Sequence, residues 1–325
     1  MKAIVNTGPG RLEWLDVPLP EPGLGQARVR TLAVGICATD LDMIDGWERT
    51  GFPSTPGHEW SGEVDAVGAG VDASLIGARC VAENVLRDGG EVGFEHPGGY
   101  GEYLITEAAN LKLLPDDFDP ATAALIEPLA VCVRGMRRAR LMSEATASCG
   151  GHSCPPSSAL VTGDGPIGLI MTILLSRAGV ASITLVGGRE PRLALGREFG
   201  AATTINYHEC PSIGGEYALV VEASGSVTGM KTALDVAAAG ARVLVLGDYG
   251  DGRADYAWSH LLHRELELIG SNASAEAWPE AVRLAIEERL PLERLISERL
   301  PAAEFAEAFE LVRTSRDVLK LVLTW

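Results

Sequence analysis

Cys37, His58 with its neighbour Glu59, and Glu127 are a thiol, an imidazole and two carboxylates spread over the first 127 residues of this 325-residue chain. All are competent zinc ligands, and three protein ligands beside one open position make a centre that can bind and activate a small molecule. Taken singly, each has a plainer reading. A lone histidine is usually a satisfied structural residue, and Cys37, in the run Gly35-Ile36-Cys37-Ala38, is usually a core thiol.

The second group is contiguous. Gly163-Asp164-Gly165-Pro166-Ile167-Gly168 is a G-x-G-x-x-G that follows an apolar run at 159–162 and opens a helical stretch. The first glycine permits a tight turn, the second lets the backbone approach a pyrophosphate, and the third lets helix and strand pack closely. The helix N-terminus adds N–H groups and the positive end of its dipole. A dinucleotide site is the reading favoured over a glycine-rich turn with no ligand. The next strand, 183–186, ends in Gly187-Gly188-Arg189, where an NAD site of this kind ends in Asp or Glu. With no carboxylate there, Arg189 and Arg192 offer cationic donors where a 2′-phosphate would lie, so NADP(H) is favoured over NAD(H). The alternative for Arg189 is a solvated turn residue or one stacked on adenine, which leaves NAD(H) acceptable.

Positioning these side chains requires two kinds of scaffold. Residues 1–128 read as short strands (2–5, 11–15, 27–34, 61–67, 79–81, 100–106) separated by Gly/Pro turns. From about 158, strands at 159–162, 182–186, 219–222, 242–246 and 266–269 alternate with helical stretches at 167–177, 191–199 and 227–238. That alternation implies a doubly wound parallel α/β sheet covered on both faces. The tail adds amphipathic helices at 277–288 and 304–313 and a strand at 318–323.

Composition bounds the function. At ~150 residues per domain the length allows two domains, and 46% hydrophobic with 22% charged residues is the make-up of a folded globular protein. A formal charge of −17 repels phosphate backbones and anionic head groups, so neither nucleic acid nor a membrane surface is an expected partner. The longest apolar run, 167–175, is roughly half the ~20 residues that span a bilayer. The opening Met1-Lys2-Ala3-Ile4 leads into Asn, Thr, Gly and Pro without a signal-peptide core, and a cytoplasmic protein is expected. Six cysteines (Cys37, Cys80, Cys132, Cys149, Cys154, Cys210) in such a chain read as buried thiols or metal ligands. Cys149, His152 and Cys154 fall in a small, polar stretch at 143–158, read as a surface loop between the modules, with an adventitious metal site as the weaker alternative.

The runs GICATD (35–40), PGHEWSGEV (56–64), GGYGEY (98–103), EPLAV (127–131), GDGPIG (163–168) and EASGS (222–226) occur in an order that resembles the zinc-dependent medium-chain dehydrogenases/reductases. This is the alcohol dehydrogenase superfamily with a GroES-like N-terminal domain, and the likeness is strongest to its polyol (sorbitol-type) and threonine-dehydrogenase-like branches. The resemblance covers essentially the whole chain. It implies a β-rich GroES-like catalytic domain over 1–128, completed by 271–325, and a Rossmann domain over 129–270. It implies that Cys37, His58 and Glu127 hold one catalytic zinc, with Glu59 as an exchangeable fourth ligand. Asp40 would orient His58 from behind, and Thr39 would relay the proton of a substrate hydroxyl. Ser224 and Gly247 would meet the nicotinamide half of the cofactor. Lys320 would face its pyrophosphate, a solvated edge lysine being the alternative. Trp47, Phe52, Glu83 and Asn84 would line the substrate pocket. No cysteine occurs between 81 and 99, where relatives with a structural zinc carry four, so that second zinc is expected to be missing.

The function so implied is hydride transfer between a secondary alcohol or polyol, or its ketone, and NAD(P)(H). A homodimer or homotetramer joined through the strand at 266–269 is expected. Two rivals share the fold: a metal-free NADPH quinone or enoyl reductase, whose relatives lack the Cys/His/Glu set, and a catalytically silent nucleotide-binding relative.

Overall fold

The computed structural model describes residues 1–47, 49–142, 155–210 and 212–325. Cys149, His152 and Cys154 lie outside the described residues. The chain divides into two compact units, Met1–Glu127 with Trp278–Trp325, and Pro128–Ala277.

In chain order the first unit begins with β1 (Lys2–Gly8), β2 (Arg11–Asp16), β3 (Gln26–Gly35), α1 (Ala38–Asp45), β4 (Glu59–Val67), β5 (Arg79–Ala82), β6 (Tyr103–Glu107), β7 (Leu111–Leu113) and α2 (Pro120–Ala124), and α3 (Ile126–Arg138) leads out of it. The second unit follows with β8 (Ser158–Thr162), α4 (Pro166–Arg177), β9 (Ser182–Gly187), α5 (Glu190–Glu198), β10 (Thr203–Asn206), β11 (Tyr217–Glu222), α6 (Val227–Asp235), β12 (Ala237–Val245), α7 (Ser259–His263) and β13 (Glu267–Gly270). The chain then returns to the first unit with α8 (Trp278–Ile286), β14 (Ile296–Pro301), α9 (Phe305–Thr314) and β15 (Lys320–Thr324).

The first unit is built around β3. Its buried and half-buried residues alternate, as a strand with one face on a core requires. The sheet runs β14-β15-β3-β4-β5-β7, and β6 pairs with the first half of β3. Val29, Val34, Trp60, Val64, Tyr100, Leu104, Leu321 and Leu323 share its core. The second unit holds a six-stranded parallel sheet in the order β10-β9-β8-β11-β12-β13, the doubly wound arrangement expected from the alternating pattern. Its central strands β8 and β11 are almost wholly buried, which is why they read as unbroken apolar runs. Among the described residues no helix is long and apolar enough to cross a membrane.

Three elements differ from the sequence reading. The helix at 227–238 stops at Asp235, because Ala237 pairs with Tyr217 and starts β12, so sheet pairing overrides the helix preference of its alanines. The strand at 100–106 begins only at Tyr103, and β14, polar and largely exposed, was not anticipated. Residues 271–277 stay with the second unit, where Arg134 and Arg137 of α3 donate to the carbonyls of Ala275 and Glu276.

Candidate active site

Cys37 sits at the N-cap of α1, directly after β3. Its N–H donates to Asp40 Oδ2 at 2.9 Å, so the carboxylate three residues on caps the first turn and meets the positive end of the helix dipole. The same Oδ2 accepts the Tyr100 hydroxyl at 2.9 Å, and Oδ1 stands 3.3 Å from His58 Nδ1. One buried carboxylate thus fixes both the Cys37 backbone and the His58 ring. Burial alone would push the Asp40 carboxyl up, but His58, the Cys37 N–H and Tyr100 outweigh it and hold its pKa down. For His58, burial opposes the charged ring, yet Asp40 outweighs it and the pKa stands well above the usual imidazole value. Tyr100 is pushed well above its ordinary range by burial and by Asp40.

Gly57 delivers His58. Its φ is +98°, and a Cβ there would stand 2.9 Å from the Tyr100 nitrogen, so only glycine fits. Glu59 opens β4 directly across the ladder from Gly35, where a side chain would overlap the Glu59 carboxylate. Glu59 Oε1 accepts Lys320 Nζ at 2.7 Å, and the same ammonium donates to the Ile36 carbonyl at 3.1 Å. This corrects the expectation for Lys320. The residue is 4% exposed on β15, an interior strand of its sheet, and its ammonium serves Glu59 rather than a cofactor pyrophosphate or solvent. Burial pulls its pKa down, but the charges of Glu59 and Cys37 outweigh that and raise it, keeping the ammonium charged.

Among the described residues, Cys37, His58 and Glu59 bring one ligand atom each within 4.8 Å of one another. Glu59 Oε2 is buried and has no hydrogen-bond partner. A half-buried thiol and a buried imidazole beside a buried carboxylate oxygen left without a partner suit a divalent cation such as zinc. Glu127, in the first turn of α3, lies outside that trio although it is buried. Burial, helped by the charge of Glu59 and opposed by that of His58, raises its pKa to about 7. The arrangement thus puts Glu59, expected as the exchangeable ligand, in the trio and keeps Glu127 apart.

Thr39 Oγ1 is 3.7 Å from the Cys37 sulfur. Phe94, which sequence reasoning missed, packs against His58 with ring centroids 4.8 Å apart and the planes tilted by 34°. Arg49 lies over the Phe94 ring at 4.4 Å and is bound by Glu91 at 2.8 Å and Glu95 at 2.7 Å. Trp47 meets Phe94 edge to face. Asn84 is not a pocket residue. It is buried, accepts from Trp60 Nε1 and donates to the His58 carbonyl, both at 2.9 Å, and so holds the backbone of the site. Glu83 is half-buried, and Phe52 lines a cavity of about 1030 Å³ with Arg49, Phe94 and Glu95.

In the second unit the glycine loop has the geometry its sequence suggests. Gly163 has φ +106°, and a Cβ on it would stand 2.8 Å from the Ala223 carbonyl. A Cβ on Gly168 would overlap the Gly163 oxygen, whereas one on Gly165 would meet nothing within 4 Å. The open side of the loop is therefore at Gly165, the N-cap of α4, with Pro166 and Ile167 as the first helical residues. Beyond β11 and β12, Ser224 donates to Glu222, and Gly247 packs so closely on Gly225 that a Cβ there would stand 2.6 Å from Gly225 Cα. Buried Glu222 also accepts from Thr162 and Tyr249 and ties these strand ends together.

The tip of β9 departs from the sequence reading. Asp164 Oδ2 accepts the N–H groups of Gly188 and Arg189, both at 2.9 Å, and Oδ1 accepts Arg189 Nη1 at 3.1 Å. A carboxylate does reach the tip of the second strand, from the neighbouring loop rather than from the strand itself. Arg192, in the first turn of α5, lies next to this tip in sequence.

Residues 23–116 match the alcohol dehydrogenase GroES-like domain and residues 121–324 the glucose dehydrogenase C-terminus. A D-altritol 5-dehydrogenase of Agrobacterium fabrum is 31% identical over 95% of each chain. Among solved structures, galactitol-1-phosphate dehydrogenase from Escherichia coli covers 100% of both chains at 26% identity with a TM-score of 0.86. A protein assigned as a zinc-binding dehydrogenase from Sinorhizobium meliloti, bound to NADP, covers 100% of this chain and 99% of its own at 25% identity with a TM-score of 0.88. With both family models matched in order along one polypeptide, the chain belongs to the zinc-type medium-chain dehydrogenases/reductases of the alcohol dehydrogenase superfamily.

Proposed function

We propose that this protein is a zinc-dependent dehydrogenase that moves a hydride between a secondary alcohol of a polyol, or the corresponding ketone, and a nicotinamide dinucleotide. The observation that carries the reading is the trio of half-buried Cys37 with buried His58 and Glu59, in which Glu59 Oε2 lacks any partner. A quinone or enoyl reductase has no use for such a set. The polyol as substrate class is supported by the altritol and galactitol-phosphate dehydrogenases to which the chain is similar.

Cys37, His58 and Glu59 would hold the zinc, and Glu127 is the neighbouring carboxylate that can complete or exchange in its shell. Bound there, the metal supplies Lewis acidity toward the alcohol or ketone oxygen. The chain's own residues do the rest. Asp40 holds the His58 ring and the Cys37 backbone in place. Lys320 compensates the charge of Glu59 through one oxygen and leaves the other free to ligate. Phe94 packs at a tilt against the His58 ring and limits its movement. Thr39, beside the Cys37 sulfur, is the hydroxyl assigned to pass the substrate proton outward.

The dinucleotide is held at the carboxyl ends of the parallel strands by Gly163, Gly165 and Gly168, with Pro166 and Ile167 opening α4 beneath its phosphates. Ser224 and Gly247 are assigned to its nicotinamide half. Arg189 and Arg192, with Gly188 between the strand and the first of them, are the basis for preferring NADP(H) over NAD(H). The assembly is assigned as a homodimer or a dimer of dimers.

Metal analysis tests the reading. One zinc equivalent per chain is expected, lost to a chelator together with oxidation of a polyol panel and restored by zinc. Metal-independent reduction of conjugated C=C bonds would instead support the reductase reading.

A further inference from the structure

We propose that Asp164, the second residue of the glycine loop, is a cofactor-specificity residue whose carboxylate keeps NAD(H) acceptable at a site where the arginines select NADP(H). The inference rests on the reading that this loop holds a dinucleotide.

The carboxylate that β9 lacks at its end is supplied by the adjacent loop. Asp164 is 5% exposed and accepts three hydrogen bonds, all from Gly188 and Arg189. Gly187, the last residue of β9, makes the space. A Cβ at 187 would stand 2.5 Å from Asp164 Cβ and 2.6 Å from its Oδ2. A strand-borne carboxylate and Asp164 therefore exclude each other, and this chain has the second. Its carboxylate stands at the tip of the second strand, the place from which an acidic residue of such a site accepts the ribose 2′-hydroxyl.

Asp164 acts on cofactor choice in two ways with one direction. A carboxylate accepts a hydrogen bond from a 2′-hydroxyl but repels a 2′-phosphate, and burial lessens the screening of that repulsion. It also occupies Nη1 of Arg189, a donor that would otherwise turn to the phosphate. Arg189 keeps a further donor, since its Nε is buried and has no partner. The pair thus offers an acceptor for the hydroxyl and a cation for the phosphate within one contact, which narrows the discrimination between the two cofactors.

The test is a titration of NADPH and NADH into wild type, Asp164→Asn and Arg189→Ala, with the ratio of the two dissociation constants as the readout and melting curves as the check on folding. Asparagine retains an acceptor for the two N–H groups and removes the charge. Asp164→Asn should raise the preference for NADPH about tenfold, equivalent to about 1.4 kcal/mol. A ratio unchanged within about twofold, or moved toward NADH, overturns the proposal. Should that variant fail to fold, Arg189→Ala still decides. It leaves the Asp164 carboxylate uncompensated, so NADH should bind more tightly than NADPH, and a continued NADPH preference overturns the role of Asp164. A wild type that binds neither dinucleotide refutes the loop reading itself, an outcome distinct from a dinucleotide site whose selectivity ignores Asp164.

Discussion

Lys320 and Glu59 form a buried ion pair across 261 positions of sequence, and its chemistry constrains the whole metal site. Removing one partner of a buried pair leaves the other charge without compensation, a loss of about 3–5 kcal/mol. Lys320→Met should therefore lower stability by about that much in urea unfolding. Lys320→Met combined with Glu59→Gln should cost less than the two single changes added, since no bare charge is left. Additive losses would refute the coupling. Such pairs explain what the sequence could and could not disclose. Gly57-His58-Glu59 and the G-x-G-x-x-G run were legible because each keeps its chemistry in adjacent residues. The roles of Lys320, Asn84 and Asp164 were not, because each is defined by a target on another strand: Glu59 on β4, the His58 carbonyl beside it, and the tip of β9.

The segment 83–99 is held by side-chain ion pairs and a cation over an aromatic ring. Arg49 bonds both Glu91 and Glu95 and lies over Phe94, while His96 meets Asp88 at 2.9 Å. Because Phe94 packs against His58, the order of this segment bears on the order of the site. Its pH response follows from Glu95. The Arg49 hydrogen bond, against a smaller opposing effect of burial, lowers the Glu95 pKa from 4.5 to about 2. A depressed carboxylate stabilises the fold fully above its unfolded pKa, and the contribution is lost as pH falls from about 4.5 toward 2. Half-exposure of the pair keeps the effect small. Hydrogen-exchange protection of residues 88–98 should hold from neutral pH to about 5 and fall below that. Arg49→Met should lower it at neutral pH and flatten its acid limb. Protection indifferent to Arg49 would refute the clamp. Fold elements marked by unbroken apolar runs, such as β8 and α4, were read correctly from sequence. β14 was not, because its register is set by pairing with β15 rather than by any apolar pattern of its own.

The second unit leaves two sheet edges, β10 and β13, and their chemistry separates them. β10 presents Thr203 and Thr204, whereas β13 exposes Leu268 at 43%, and the approach to it exposes Trp258 at 65% and Leu262 at 74%. An open edge flanked by large apolar side chains is a template for another strand. Glu267, the charge that would guard this edge, is already paired with Arg140, so a second copy of the chain can approach it. Opposing this is the charge of −17 on each chain. At physiological ionic strength the Debye length is about 8 Å, so most of that repulsion is screened, while a fully buried leucine side chain contributes about 1.5–3 kcal/mol. Burial wins, and the edge strand should pair across a twofold axis into a continuous sheet. Light scattering should give a mass of at least twice the 34.3 kDa of one chain, and dissociation on dilution should weaken as salt is raised, because only the repulsive part is electrostatic. Leu268→Asp places a charge in the middle of that contact and should return the protein to one chain without altering its circular dichroism. A wild type that sediments as a single chain, or a Leu268→Asp variant that remains paired, would place the contact elsewhere.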